Sequence, residues 1–287
     1  MIDLALSIIF SSIIFVIFKL FSIYKVQTFF AIVTNYVIAC ITGLLLYNGP
    51  ENITQIPNTN WFWGAVAMGL LFILTFNVMA KTSQRLGVSV ASVATKMSLA
   101  IPVVFGLLLY NEKLSVLKIV GILLALVAVY FASVKEKSVA LNKKVLVLPL
   151  LVFLGSGAID TSLKYMEETR LSREELPFFS ATIFGSAACI GILFILVKAF
   201  KEPLKINLKN SIAGILLGVL NYFSIYFLLR ALQNDSFNSA SIFTINNVAI
   251  VLFSTILGIL LFKEHLSLKN WGGIALAVVS ILLVAFF

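Results

Sequence analysis

The chain has 287 residues, of which 61% are hydrophobic and 11% charged, and its mean hydropathy is +1.08. Soluble domains carry about a quarter charged residues, so this composition excludes a soluble globular protein. The net charge of +9 does not indicate nucleic-acid binding, because the basic residues lie at the ends of apolar segments. Basic loops facing a cytoplasm explain them, and we expect no nucleic-acid partner.

Apolar segments of about 20 residues recur along the whole chain, each long enough as a helix to cross a ~30 Å hydrocarbon core. The polar breaks between them are too short to hold a soluble domain. The first segment has neither a basic stretch before it nor a cleavage site after it, so we expect it to remain in the mature chain. The predicted fold class is an all-α polytopic membrane protein. Ten spans are predicted, at 2–18, 28–47, 61–80, 88–110, 115–133, 146–164, 177–197, 211–230, 237–261 and 267–286.

An internal repeat divides the chain into two halves. A shift of 152 residues superimposes NEKLSVLKIVGILLA at 111–125 on KEHLSLKNWGGIALA at 263–277, with Glu112 on Glu264. A shift of 149 residues superimposes other positions, so only a three-residue slip separates the two registers. The duplication therefore covers nearly the whole chain.

Each half contains five predicted spans, the first half being residues 1–137 and the second 145–287. An odd number of spans leaves the chain on the side opposite its start, so the second repeat is expected to be inverted. Inverted repeats are typical of secondary transporters, in which two similar bundles rock about a central site. Duplications also occur in membrane enzymes and channels, so the pattern favours transport without excluding those classes.

The sequence resembles the drug/metabolite transporter superfamily, in its EamA-like branch. The resemblance rests on the five-plus-five layout and on the Glu-containing hairpins LLLYNEKLS and LLFKEHLS, each followed by a Gly-containing span. It covers the full length of the chain. It implies a helical basket that moves small metabolites, often amino acids. Its central cavity is implied to be lined largely by spans 1, 3, 4, 6, 8 and 9.

Lys96 lies in the middle of the fourth predicted span, nine residues beyond Gly87. At 1.5 Å per residue it is about 14 Å deep. A lysine there costs about 2.5–3.5 kcal/mol, and its stem of roughly 6 Å reaches neither interface. Ser89 and Ser92 share its helical face. We predict that this face lines a cavity, with a buried structural ion pair as the alternative.

Asp160 is the obvious counter-charge, because it is the only carboxylate well inside a predicted span. Ser156 and Lys164 lie on the same face of its helix. Asp160 could pair with Lys96, pair locally with Lys164, or take up a proton in a dry cavity. Proton coupling therefore stays open.

Further polar side chains lie inside predicted spans 3, 8 and 9. Asn246 and Asn247 fall beside the repeat positions of Thr95 and the central lysine. Adjacent residues on a helix point about 100° apart, so one amide is expected to face the cavity and the other a neighbouring helix. The remaining candidates for substrate binding are Asn77 in span 3, and Tyr222 and Tyr226 in span 8.

Little in the sequence supports an enzyme. One histidine and two separated cysteines cannot assemble a structural metal site, and no phosphate-binding loop or carboxylate cluster is present. The acidic loop at 166–176 is the only support for an intramembrane enzyme acting on lipid-linked substrates, which stays a distant alternative. We expect no enzymatic activity, cofactor or metal.

The basic residues divide unequally between the two sides of the membrane. Most lie in loops 1/2, 3/4, 5/6, 7/8 and 9/10 or beside them. The positive-inside rule places those loops in the cytoplasm and both termini outside. The family resemblance implies cytoplasmic termini instead, so the orientation stays open.

The sequence thus predicts a secondary transporter of small polar or amphipathic metabolites working by alternating access. Export of amino acids or related compounds is the leading case. An exchanger of phosphate esters or nucleotide-linked sugars, which would use Lys96 with Lys81 or Arg230, is the alternative. We expect an integral protein of a bacterial plasma membrane, contacting substrate and lipids, as a monomer or a homodimer.

Overall fold

A computed structural model describes residues 2–46, 53–110, 115–133, 143–171, 175–200, 207–232 and 239–286. Within these ranges the chain is helical and contains no strand, and a 3₁₀ helix (Ile53–Asn58) precedes α3. The α-helices are α1 (Ile2–Ile23), α2 (Thr28–Leu45), α3 (Phe62–Leu86), α4 (Val88–Met97), α5 (Ala100–Tyr110), α6 (Val116–Ser133), α7 (Lys143–Thr169), α8 (Leu176–Ala199), α9 (Leu208–Leu232), α10 (Ser239–Phe262) and α11 (Leu268–Phe286).

The described helices are long and apolar enough to build a membrane domain. Eight segments reach the length and hydropathy of a membrane span, and one of them, Val88–Phe105, joins α4 to the start of α5. Two shorter apolar stretches, Ile119–Ser133 in α6 and Leu268–Val284 in α11, complete the set of predicted spans. The predicted all-α polytopic fold class is confirmed.

Contacts between repeat partners show that the two repeats run in opposite directions. Helix α4 begins where its partner α10 ends, because the backbone N–H of Val88 donates to Glu264 Oε1, just beyond α10. Helix α11 begins where its partner α6 ends, because Asn270 Nδ2 donates to the carbonyls of Phe131 and Ala132 at 3.0 and 2.9 Å. We call the membrane side at these contacts the Glu264 side and the opposite one the terminal side.

Helices α2 and α9 meet through small residues and one amide pair. Gly214 and Gly218 of α9 face α2, and a Cβ added at Gly218 would lie 2.7 Å from the carbonyl oxygen of Asn35. Asn221 Nδ2 donates to Asn35 Oδ1 at 3.2 Å across the same contact. Small residues allow helix backbones to approach closely where lipid offers no hydrophobic driving force. This contact therefore ties the first repeat to the second.

The two repeats pack differently, although their sequences are related. Helix α1 packs against both α3 and α4. Near the Glu264 side this packing includes a bond from Ser83 Oγ to the Phe15 carbonyl at 2.8 Å and one from Lys19 Nζ to the Gln84 carbonyl at 3.1 Å. Among the described residues, the equivalent helix α7 makes no comparable contact with α9 or α10. Within the described ranges, the two repeats therefore differ in how their first helix packs.

The close approach of α2 and α9 predicts opposite effects for two Gly→Ala substitutions. Alanine is favoured over glycine in a helix by about 1 kcal/mol. Gly272 in α11 has no atom within 4 Å of an added Cβ, so Gly272→Ala is expected to raise the melting temperature of the purified protein. Gly218→Ala is expected to lower it, because the added Cβ meets backbone. Shifts of the same sign in both variants would contradict this account of the α2–α9 contact.

Candidate functional site

The fourth span is interrupted near the middle of the membrane. Helix α4 ends at Met97 and α5 begins at Ala100, so the predicted span 88–110 is two helices joined by a turn at Ser98 and Leu99. Pro102 explains the break, because its ring clashes with the carbonyl four residues earlier and it lacks the N–H that this carbonyl would need. Discontinuous helices near the midplane are typical of binding sites in transporters.

Lys96 and Asp160 flank this break. Lys96 lies in the last turn of α4, where the negative end of the helix dipole favours a cation. Asp160 of α7 lies beside the start of α5, because its Oδ2 is 3.1 Å from Ser98 Oγ. The two charges are close enough to interact electrostatically. The end of α4 and the adjacent part of α7 therefore place an ammonium and a carboxylate near the helix break.

These two charges are near each other but are not closed into an ion pair. Within the part of the chain that the structure describes, no carboxylate oxygen lies at ion-pair distance from Lys96 Nζ and no acceptor is hydrogen-bonded to it. Lys96 is partly exposed, as is Asp160. A charged group in low dielectric needs a partner or water. The ammonium is thus available to a ligand.

A shallow recess borders Lys96. The recess has no interior volume large enough to hold a water molecule, so it can neither hydrate the lysine nor accommodate a metabolite. Its lining comes from the helix break and from α11: Met97, Leu99, Ala100, Ser280, Ile281 and Val284.

Ser98 is a site residue that the sequence analysis missed. Its hydroxyl lies 2.6 Å from the Thr95 carbonyl and 3.1 Å from Asp160 Oδ2. A hydroxyl carries one proton, so it cannot donate to both oxygens at once. The signal that would have identified it is its place four residues before Pro102, where a proline disrupts helical bonding.

The predicted amides lie in different surroundings. Asn246 is 2% exposed, and its Oδ1 is 3.4 Å from Ser7 Oγ of α1. Asn247 is 8% exposed and has no hydrogen bond with any described residue. Asn77 is half-buried and donates to the Ile73 carbonyl of its own helix at 2.7 Å. Of the three, Asn247 has the amide that remains available.

Ser92 is fully buried and donates to the Ser89 carbonyl at 3.0 Å, so its hydroxyl is satisfied within α4.

The predicted aromatic stripe on α9 is present. Tyr222 and Tyr226 stack with their ring centroids 6.1 Å apart, and Arg230 lies over Tyr226 at 5.8 Å. The structure brings Lys96 and Asp160 together, whereas the roles of Ser92, Asn77 and the tyrosines in binding stay predictions.

Comparisons with known proteins agree with this architecture. Residues 2–134 and 144–286 each match the EamA-like transporter family. The chain is 31% identical over 263 residues to an uncharacterized protein of Haemophilus influenzae, covering 88% of this chain and 86% of that protein. It also resembles a crystal structure of a protein at a TM-score of 0.60 and 14% identity, covering 98% of this chain and 94% of the other, which supports the fold alone. The chain belongs to the EamA-like transporter family, within the drug/metabolite transporter superfamily.

Proposed function

We propose that the protein is a secondary transporter of small zwitterionic metabolites, namely amino acids or related compounds. One observation supports this substrate class above all: Lys96 and Asp160 flank the helix break without forming an ion pair. A substrate carboxylate would bind Lys96, while a substrate ammonium would bind Asp160. Asn247 and the tyrosines of α9 are proposed to contact the rest of the molecule. Charge-assisted bonds of this kind are about twice as strong as neutral ones.

We further propose that transport proceeds by alternating access. Supporting this, α1 packs against α3 and α4 near the Glu264 side, whereas among the described residues α7 makes no comparably extensive contact with α9 or α10. Exchange of the two arrangements between the repeats would seal the terminal side and open the other. The proposed direction is export. The bacterial relative supports a bacterial plasma membrane as the location.

Exchange of phosphate esters is a weaker candidate. A phosphate needs several cations, but Lys81 is exposed at the end of α3. Arg230 lies 3.7 Å from Asp3 and is itself half exposed. Asp160 beside Lys96 would also repel a dianion.

The enzyme alternative rested on the loop at 166–176, where described residues make structural bonds: Arg170 donates to the Asn60 carbonyl and Trp61 donates to Glu175.

Lys96→Met is expected to weaken substrate binding strongly while leaving the protein in the membrane. Hydrogen bonds to charged groups contribute about 1.5–3 kcal/mol, so affinity should fall roughly 10- to 150-fold. Thermal stabilisation of the purified protein by a panel of amino acids measures this effect. The matched control is Lys81→Met, an exposed lysine of α3. Normal stabilisation in Lys96→Met would contradict the proposed function, and loss of binding in Lys81→Met would favour phosphate esters.

Asp160→Asn separates a zwitterion site from a plain anion site. The neutral amide should weaken binding of the best amino acid by about tenfold or more, because a charge-assisted bond to its ammonium is lost. Binding of the corresponding carboxylic acid without its amino group should not weaken. Titration of both compounds against wild-type protein and the variant gives the four affinities. Equal losses for the two compounds would contradict a contact between Asp160 and the substrate amine.

Proton coupling at Asp160 is a further part of the proposal. A protonated Asp160 would donate to Ser98 Oγ, which frees the Ser98 proton for the Thr95 carbonyl and satisfies both short contacts. In proteoliposomes, a pH gradient should therefore accelerate substrate flux several-fold in wild-type protein but not in Asp160→Asn. Flux that ignores the gradient in wild-type protein would exclude proton coupling while leaving the substrate site intact.

A further inference from the structure

The loop between α10 and α11 places a carboxylate on the start of α4. Glu264 Oε1 accepts the N–H of Val88 at 2.7 Å, and Oε2 lies 3.1 Å from Ser89 Oγ and 3.5 Å from Ser89 N. The first N–H groups of a helix have no partner within the helix, and the positive end of its dipole attracts an anion. A residue of the second repeat therefore caps a helix of the first.

Two glycines, one from each repeat, make room for this carboxylate. A Cβ added at Gly87 would lie 2.8 Å from Glu264 Oε1, and one added at Gly258 would lie 2.6 Å from Oε2. Gly87 also has φ of +118°, a conformation that other residues rarely adopt. The preceding loop residue Lys263 has φ of +52°, which is strained for a residue with a side chain. The backbone on both sides of the contact thus adopts the conformation that accommodates the Glu264 carboxylate.

The bonds of Glu264 permit it to detach. Within the described ranges, no basic side chain forms an ion pair with it, and its partners are two backbone N–H groups and one hydroxyl. Detachment would therefore expose a carboxylate and a helix end to water without leaving an unpaired cation in the interior. Groups of this kind regain hydrogen bonds from water.

Helix α4 connects this contact to the candidate site. It is ten residues long and carries Lys96 in its last turn, so Val88 and Lys96 are about 12 Å apart along one rigid helix. Displacement of the α10–α11 loop would consequently shift the lysine. The same end of the bundle is sealed by Ser83 and Lys19, which bond α3 to α1.

We propose that Glu264 is a latch: it holds the Glu264 side of the bundle closed, positions α4, and must release for that side to open. This inference rests on the proposed transport cycle. Its partner in the other repeat, Glu112, lies outside the described residues. The latch is formed in a structure in which Ser83 and Lys19 bond α3 and α1 together at the same end.

Chemical labelling of a buried cysteine measures the latch directly. Ser254 is fully buried on α10, one turn deeper than Gly258 and on the same face. In protein with Cys40 and Cys189 replaced by alanine, Ser254→Cys should react slowly with a water-soluble maleimide. Adding Glu264→Gln should raise the labelling rate about tenfold or more, because the neutral amide binds the helix end weakly.

Gly258→Ala provides an independent route to the same state, because its Cβ displaces the Glu264 carboxylate without changing any charge. It should accelerate labelling as Glu264→Gln does, and it decides the question alone if Glu264→Gln does not fold. Glu175→Gln is the matched control, since Glu175 accepts a bond from Trp61 at the terminal side. Its labelling rate should equal that of the parent.

A folded Glu264→Gln or Gly258→Ala protein that labels at the parent rate would overturn the latch. A purely structural cap would lower the melting temperature of these variants without exposing the thiol introduced by Ser254→Cys. Labelling requires no substrate, so the latch can fail or succeed independently of the proposed function. Conversely, the amino-acid titrations on Lys96 variants do not depend on Glu264.

Discussion

A charged side chain in the hydrocarbon core must be paired or hydrated, and the central part of this molecule is arranged around that requirement. Moving Lys96 to mid-membrane costs about 2.5–3.5 kcal/mol on insertion scales. The structure offsets this cost by ending α4 one residue later, so the ammonium lies at the negative end of a helix dipole. Asp160, which interacts electrostatically with Lys96, contributes further stabilisation.

The break that makes this possible is itself expensive in a membrane. Unpaired backbone groups are tolerated at this depth only where protein buries them or water reaches them. Ser98 is fully buried and bonds back to the Thr95 carbonyl, and Ile101 N donates to the Ser98 carbonyl at 2.9 Å. Hydrogen bonds within the turn thus satisfy many of its polar backbone and side-chain groups. Lys96 has no hydrogen bond among the described residues, and this is the contact that the proposed substrate carboxylate would supply.

The sequence alone was sufficient to predict the architecture, because the lengths of the apolar segments and the internal duplication can both be read along the chain. The spans, the inverted repeats and the two intramembrane charges all follow from it. The rotation of a helix about its axis does not, since only packing decides it. For this reason the sequence does not show which of Asn246 and Asn247 faces the cavity. The structure places Asn246 beside Ser7 of α1.

Other features were missed although a local signal existed. Pro102 indicates a disrupted helix in its preceding turn, yet the apolar pattern continues through it and suggested one uninterrupted span. The hairpin glutamate served only as a family marker, because the target of its side chain lies 176 residues away in the chain. Contacts at that separation depend on how the two repeats are placed, which no local pattern encodes.

The short length of α4 connects these points. A continuous span of about 20 residues would bury Lys96 in mid-helix and pass any displacement on to the far membrane face. The break confines the displacement to a ten-residue helix, with the proposed latch at one end and Lys96 at the other. Energetic coupling between two sites needs a physical element with two discrete arrangements. Here one rigid half-helix, capped by the opposite repeat, is sufficient to link closure of the Glu264 side to the geometry of the charges.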